Sequence, residues 1–397
     1  MGSYLDSIPF SGIMRIRDMM FGIDKPFRLD QGDVGFDAPD AVKAGMTKAI
    51  TTNQTHYVQT VGIPRLRELI LKKLRGKNDT PVESVDDIIV TNGGMHALYI
   101  AFMGLLEPDD EVICTDPMWP STRGSILSAR GVPISCPLYE SNRWRPDLVE
   151  LESKITSRTR VILINSPHNP TGGVLTRSDL EHIANLAKER DLWIVSDEAY
   201  EDILFDGKQH ISIASLPEMY ERTIPIYTFS KSYAMTGLRL GYLSIKDPAV
   251  RDRVKKVLYY SCSNVCSVVQ FAGVGGLENA QARIEEFRIE LQARRDLFYN
   301  GIRNLGGAVL SGEPPTGAFY AFLRINPTWK PESRLSKADS QSWAFVEHLI
   351  QQARIGCVPG VDFGPHGEGY VRFCFARNRA ELTGALDSMR RLFSATH

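Results

Sequence analysis

The sequence predicts an α/β fold: a large domain with a mostly parallel seven-stranded sheet covered by helices, and a smaller α+β domain formed by the N-terminal segment and the C-terminal part. Three observations carry this. Between Asp87 and Ile245, seven short and nearly continuous apolar runs alternate with helical stretches, the pattern of strands buried on both faces. That alternation stops near Gly276, where a long charged segment, Glu278 to Asn304, carries apolar residues at helical spacing. With 397 residues the chain exceeds one ordinary domain, and 43% apolar with 23% charged residues is the composition of a globular protein with a large core.

In chain order, Ile8 to Pro39 reads as an irregular entry around a short helical run from Gly12 to Met20, and Arg28 to Pro39 is rich in glycine and turn formers. Pro64 suits the first turn of a helix whose core face is Leu66, Leu69, Ile70 and Leu74. The seven runs are Ile88–Val90, Glu111–Cys114, Pro133–Cys136, Val161–Ile164, Leu192–Val195, Ile224–Tyr227 and Gly241–Ile245. After the charged helix come an apolar run at Gly317–Leu323, a helix over Ser340–Gln352, a Gly/Pro loop at Val358–Gly360, a strand at Val371–Phe375 and a final helix. The expected division is 1–45 for the N-terminal part of the small domain, 46–280 for the large domain and 281–397 for the rest of the small domain. No repeat or low-complexity tract intervenes, so the two should pack closely.

Lys+Arg 46 against Asp+Glu 47 leaves a formal charge of −1, with no basic excess for nucleic acid or an anionic membrane. The ligand should be small. The six cysteines are scattered, and Cys262 and Cys266 have neither zinc-ribbon nor thioredoxin spacing, which fits reduced thiols. MGSYLDSIPF has no signal-peptide pattern, Asp6 breaks the myristoylation pattern, and no stretch is apolar for long enough to span a bilayer, so a cytoplasmic location is expected. The histidines lack metal-ligand spacing. The G-x-G at Gly273 and Gly275 lacks a third dinucleotide glycine and falls in a helical stretch, so neither metal nor NAD is implied.

The chemistry concentrates at strand ends. Thr228 to Tyr242, TFSKSYAMTGLRLGY, places Lys231 just past a strand with Thr228, Ser230 and Arg239 around it. The crevice beyond strand carboxyl ends is where open α/β sheets bind ligands. A desolvated lysine beside cationic neighbours has a lowered pKa and forms Schiff bases, while hydroxyls and an arginine suit a phosphate. Together these describe a pyridoxal phosphate site, against the plain alternative of a lysine in a Ser/Thr-rich turn. Val90 to Leu98 runs from a strand through Gly93 and Gly94 into a helix, where free N–H groups at Gly93, Gly94 and Met95 favour an anion. Asp197 ends a buried strand, where a carboxylate is costly unless paired.

These strings, with Asn165-Ser-Pro-His-Asn-Pro-Thr-Gly-Gly, Asp197-Glu-Ala-Tyr and Gly367-Glu-Gly-Tyr-Val-Arg, resemble class I/II aminotransferases, the aspartate aminotransferase-like enzymes of fold type I, from about Ser11 to Leu392. The resemblance implies pyridoxal 5′-phosphate bound as an aldimine at Lys231, which then moves a proton as general acid and base. It implies that Asp197 pairs with the pyridine nitrogen and makes the ring an electron sink, while Asn169 and Tyr200 hydrogen-bond its phenolic oxygen and Trp119 stacks on it. Gly93, Gly94, Met95, Thr228, Ser230 and Arg239 would hold the phosphate, joined across a homodimer seam by the partner's copy of Tyr57. Gly32 and Asn169 would border the substrate, and Arg372 would grip its α-carboxylate through a bidentate pair.

The activity implied is amino transfer between an L-amino acid and a 2-oxo acid in ping-pong half-reactions. Two departures, Leu238 where tryptophan is common and Ser261-Cys-Ser-Asn-Val-Cys-Ser without the usual proline, bear on substrate choice more than on cofactor use. The competing readings are elimination, replacement or cyclisation on an amino acid by the same cofactor chemistry, a cofactor-sensing regulator, and a binding-only relative that nonetheless retains Lys231, Asp197 and Arg372.

Overall fold

The seven apolar runs pair into one sheet: β1 (Ile88–Thr91), β2 (Glu111–Asp116), β3 (Val132–Pro137), β4 (Thr159–Asn165), β5 (Trp193–Asp197), β6 (Thr223–Thr228) and β7 (Gly241–Ser244). In this computed structural model, which describes residues 3–6, 8–305, 309–330 and 340–394, the spatial order is β1-β7-β6-β5-β4-β2-β3. Parts of the entry stretch MGSYLDSIPF and the extreme ends of the expected 1–45 and 281–397 units lie outside the described residues. Strand β7 is antiparallel to both neighbours and every other pairing is parallel. Its direction follows from its connection. The segment between β6 and β7 contains only a single helical turn at Thr236–Leu238, whereas a parallel return needs a full crossover element.

Alternation along the strands divides the sheet's two faces. Ile89, Val112, Leu163 and Val195 pack with the helices Gly94–Leu105 and Pro248–Cys262, and Ile113, Ile162, Ile164 and Ile194 pack with the helix Arg177–Glu189. A capping box between Thr176 and Asp179 starts that last helix, a device worth about 1 kcal/mol. Gly275 lies inside the helix Ser267–Asn279, and a Cβ there would sit 2.2 Å from Ala41 O, so it serves close packing on the helix Asp40–Thr51.

The late half is built on β8 (Tyr320–Ile325) and β9 (Tyr370–Cys374), antiparallel neighbours in a four-stranded sheet. The N-terminal segment joins it: Phe27–Arg28 pairs in parallel with Ile355–Gly356, and Ile16, Met20 and Leu29 share a core with Phe345, Phe373 and Leu382. Strand β9 is consequently buried on both faces, and Arg372 is 2% exposed, so it is not a surface arginine.

Candidate active site

Running β1, β2, β4, β5 and β6 in one direction brings their carboxyl ends to one edge of the sheet, with the topological switch point between β4 and β2. A cleft of about 410 Å³ opens there. It is lined by Gly94 and Met95 after β1, Trp119 after β2, Asn169 after β4, Asp197 at the end of β5 and Tyr200 just past it, Thr228 at the end of β6 with Ser230, Lys231 and Arg239 after it, and by Gly32 and Arg372 from the other part of the chain. One cavity therefore gathers almost every residue singled out from the sequence. Gly93 lies behind this wall, and Tyr57 stands apart from it with 89% of its surface exposed.

The turn after β1 owes its shape to Gly93, whose φ of +82° suits glycine and whose absent Cβ would fall 2.3 Å from Arg239 Nη2. Gly93 N–H is committed to Thr91 O at 2.9 Å, so the turn's open donors among the described residues are the first N–H groups of the helix, Gly94, Met95 and His96. Facing them, Thr228 Oγ1 donates to Ser230 Oγ at 2.9 Å, and Arg239, held by Thr236 O at 2.8 Å, approaches the same Ser230 oxygen at 3.5 Å. This end of the cleft is a set of donors with a fixed cation. It fits a phosphate.

Lys231 Nζ donates to Gly32 O at 2.7 Å. Burial brings its ammonium down to about 8, with Arg372 and Arg239 adding in the same direction against Cys374 and Asp33. An amine in that range is available both as nucleophile and as acid or base near neutral pH. Asp197, on the neighbouring strand end, is pushed up to about 6 by burial and by Glu198, opposed by the Ala199 N–H at 3.1 Å and by Lys231. A half-buried carboxylate facing the cleft is suited to a cationic partner. Its backbone is fixed by Asn165 Nδ2, which donates to Asp197 O at 3.0 Å, while Asn165 Oδ1 accepts from Asn169 N–H at 2.9 Å.

Opposite the phosphate-like end, Arg372 donates from Nη1 to Asn169 Oδ1 at 3.1 Å and from Nη2 to Asp30 O at 2.8 Å. Its guanidinium lies 4.5 Å from the Tyr320 ring centroid and 4.9 Å from that of Phe363, and its buried Nε has no hydrogen-bond partner. Two of its five N–H groups are thus committed, and a guanidinium in the cleft lining with donors to spare suits a carboxylate. Tyr200 OH lies 2.8 Å from Tyr320 OH.

Tyr320, Asp30, Asn165 and Phe363 border the site without a signal of their own in the sequence: Tyr320 lies in the apolar run Gly317–Leu323, and the others act through contacts made on folding that no local pattern announces.

The family described as "Aminotransferase class I and II" matches residues 24–389. The chain belongs to the class I and II aminotransferases. It is 36% identical to "Aromatic-amino-acid aminotransferase 2" of Thermococcus litoralis over 98% of this chain and 97% of that protein, and 35% identical to the "Aspartate aminotransferase" of Pyrococcus abyssi over 99% and 98%. Among solved structures it superposes on the aspartate aminotransferase of Thermus thermophilus with maleate at a TM-score of 0.88, with 31% identity and 99% of both chains covered. As a member of this family the chain is an enzyme that moves amino groups between amino acids and 2-oxo acids, and the family is pyridoxal phosphate-dependent. Transamination is therefore favoured over the elimination, replacement and cyclisation alternatives.

Proposed function

We propose that this aminotransferase holds pyridoxal 5′-phosphate in the cleft, with Lys231 as its covalent anchor and as the proton carrier of the reaction. The observation that supports this best is the convergence of Lys231, Asp197, Arg239 and Arg372 on a single cavity at the sheet's carboxyl edge. Gly94 and Met95 N–H groups, Thr228, Ser230 and Arg239 would hold the phosphate, with Gly93 shaping the turn. Trp119 would cover the ring, Asn169 and Tyr200 would donate to its phenolic oxygen, and Asp197 would pair with its nitrogen. When bound, the group supplies an electron sink for the pair left as the substrate Cα–H bond breaks.

The protein's own part is positional and acid–base. Arg372 binds the α-carboxylate and, with Gly32 and Asn169, sets the orientation of the substrate Cα. Lys231, near neutrality in its free form, accepts the Cα proton and returns one on the other side of the transfer. Asp197 stays ionised once a cation faces it, since an opposite charge favours the carboxylate and offsets its burial.

We extend the reading to a homodimer with shared sites, in which the exposed Tyr57 reaches the partner subunit's phosphate, and to a division at 1–45, 46–280 and 281–397. A cytoplasmic enzyme is in keeping with the near-neutral charge, and among the described residues no helix is long and apolar enough to cross a membrane. The experiment is a single half-reaction: enzyme mixed with a panel of amino acids and no acceptor should release one equivalent of 2-oxo acid per site and then stop until pyruvate or 2-oxoglutarate is added. Continuous ammonia release without an acceptor would instead indicate elimination.

A further inference from the structure

His96 belongs to the first turn of the helix Gly94–Leu105 and has no assigned part in the reaction. Its Nδ1 accepts the Asn92 N–H at 3.2 Å, four residues back, and its Nε2 lies 2.9 Å from Ser261 Oγ. An acceptor nitrogen carries no proton, so the proton is on Nε2 and is donated to Ser261 Oγ. That hydroxyl in turn donates to Leu258 O at 3.1 Å, so each donor has an acceptor. Burial displaces the imidazole below its ordinary pKa, which favours the neutral form that this arrangement requires.

The bonds around the turn divide its N–H groups into two sets. Asn92 N–H is taken by His96 and Gly93 N–H by Thr91 O, while Thr91 Oγ1 donates back to Gly93 O at 3.0 Å. Gly94 and Met95 remain open, and both line the cleft beside Thr228, Ser230 and Arg239. We propose that His96 is a positioning residue for the cofactor phosphate: its Nδ1 ties off the Asn92 N–H, fixes the Thr91–Met95 turn against the helix Pro248–Cys262 through Ser261, and so presents the Gly94 and Met95 donors to the anion. This rests on the cofactor reading above.

The test compares His96→Ala, His96→Asn and His96→Gln. Asparagine can place a carbonyl oxygen where Nδ1 accepts, whereas glutamine reaches toward Ser261. Each purified holoenzyme is stripped of cofactor and titrated with pyridoxal phosphate and, separately, with unphosphorylated pyridoxal, following the visible absorbance, and circular dichroism checks folding. The Asn92 N–H is at an exposed position and water can satisfy it once freed, so the loss expected is that of a misaligned hydrogen bond to the charged phosphate, on the order of tenfold in affinity or more. His96→Ala should therefore weaken pyridoxal phosphate by about 10-fold or more, leave pyridoxal unchanged, and be rescued by His96→Asn to within about threefold of wild type. An equal loss for both compounds, wild-type affinity in His96→Ala, or rescue by glutamine and not asparagine overturns the proposal. Where His96→Ala does not fold, the asparagine and glutamine variants decide by the same criterion. Wild-type protein that binds neither compound sinks the cofactor reading and this inference with it, whereas normal binding that is indifferent to His96 sinks this inference alone.

Discussion

Arg372 Nη1 donates to Asn169 Oδ1 at 3.1 Å, joining a strand of the C-terminal half to the turn after β4. The two residues lie 203 positions apart, and their bond brings the proposed carboxylate grip to the edge of the proposed ring site. Lysine at position 372 would keep a charge but lose the planar fork and the stacking on Tyr320 and Phe363. Arg372→Lys should raise KM for the amino acid by about 10- to 100-fold, the worth of one charged hydrogen bond, with cofactor absorbance retained. An unchanged KM would remove Arg372 from substrate binding.

Lys231 should react as an unusually acidic ammonium. In cofactor-free protein, its rate with an amine-directed reagent should rise through a midpoint near pH 8, because burial holds it at about 8 instead of its ordinary 10.5. Peptide-resolved labelling across pH measures this. A midpoint above pH 10 would mean the amine is solvated.

Stability should depend on a buried pair behind the site. Lys73 Nζ lies 2.7 Å from Glu201 Oε1, both nearly inaccessible, and Asn78 Nδ2 donates to the same carboxylate. Glu201 is held down to about 2, with the Lys73 and Lys77 charges overcoming the opposing effect of burial. Lys73→Met should destabilise the protein by about 3–5 kcal/mol at pH 7, since it leaves a buried charge without its principal partner. The sign of the pH dependence follows. A folded-state pKa depressed below the unfolded 4.5 gives stability that is full above about 4.5 and lost as pH falls through about 2. The gap between wild type and variant, measured by urea unfolding, should therefore narrow on acidification below pH 4.5. A gap that is constant from pH 7 to 3 would contradict the assignment.

Shared sites can be tested by hybrids. If Tyr57 serves the partner's cofactor, unfolding Lys231→Ala and Tyr57→Ala together and refolding gives about half hybrid dimers, each with one intact site, so activity approaches about a quarter of wild type by symmetry. Activity no greater than the parents' average would place Tyr57 within its own chain or outside the mechanism.

The fold is legible where buried strands write themselves as apolar runs, and the candidate site where polar residues and glycines follow strand ends, as at Lys231, Asp197 and the Gly93-Gly94 turn, with Asn169 singled out by resemblance. The reversed direction of β7 is not, because the apolar run Gly241–Ile245 reads the same either way and only its helix-poor connection sets its sense. Tyr320, Asp30 and His96 were missed for another reason. Their meaning lies in partners brought close by folding: Tyr200 for Tyr320, Arg372 for Asp30 and Ser261 for His96. Burial of Arg372 likewise needed the N-terminal segment, whose Leu29 O accepts the Cys374 N–H at 2.7 Å.

The most direct measurement is reduction of the purified holoenzyme with borohydride, followed by digestion and mass mapping of the pyridoxyl adduct. The account predicts a yellow protein whose visible band is lost on reduction, with one adduct per chain, on the peptide carrying Lys231, and a Lys231→Ala variant that forms no adduct and does not turn over. An adduct on another lysine, or full turnover by Lys231→Ala, would contradict it.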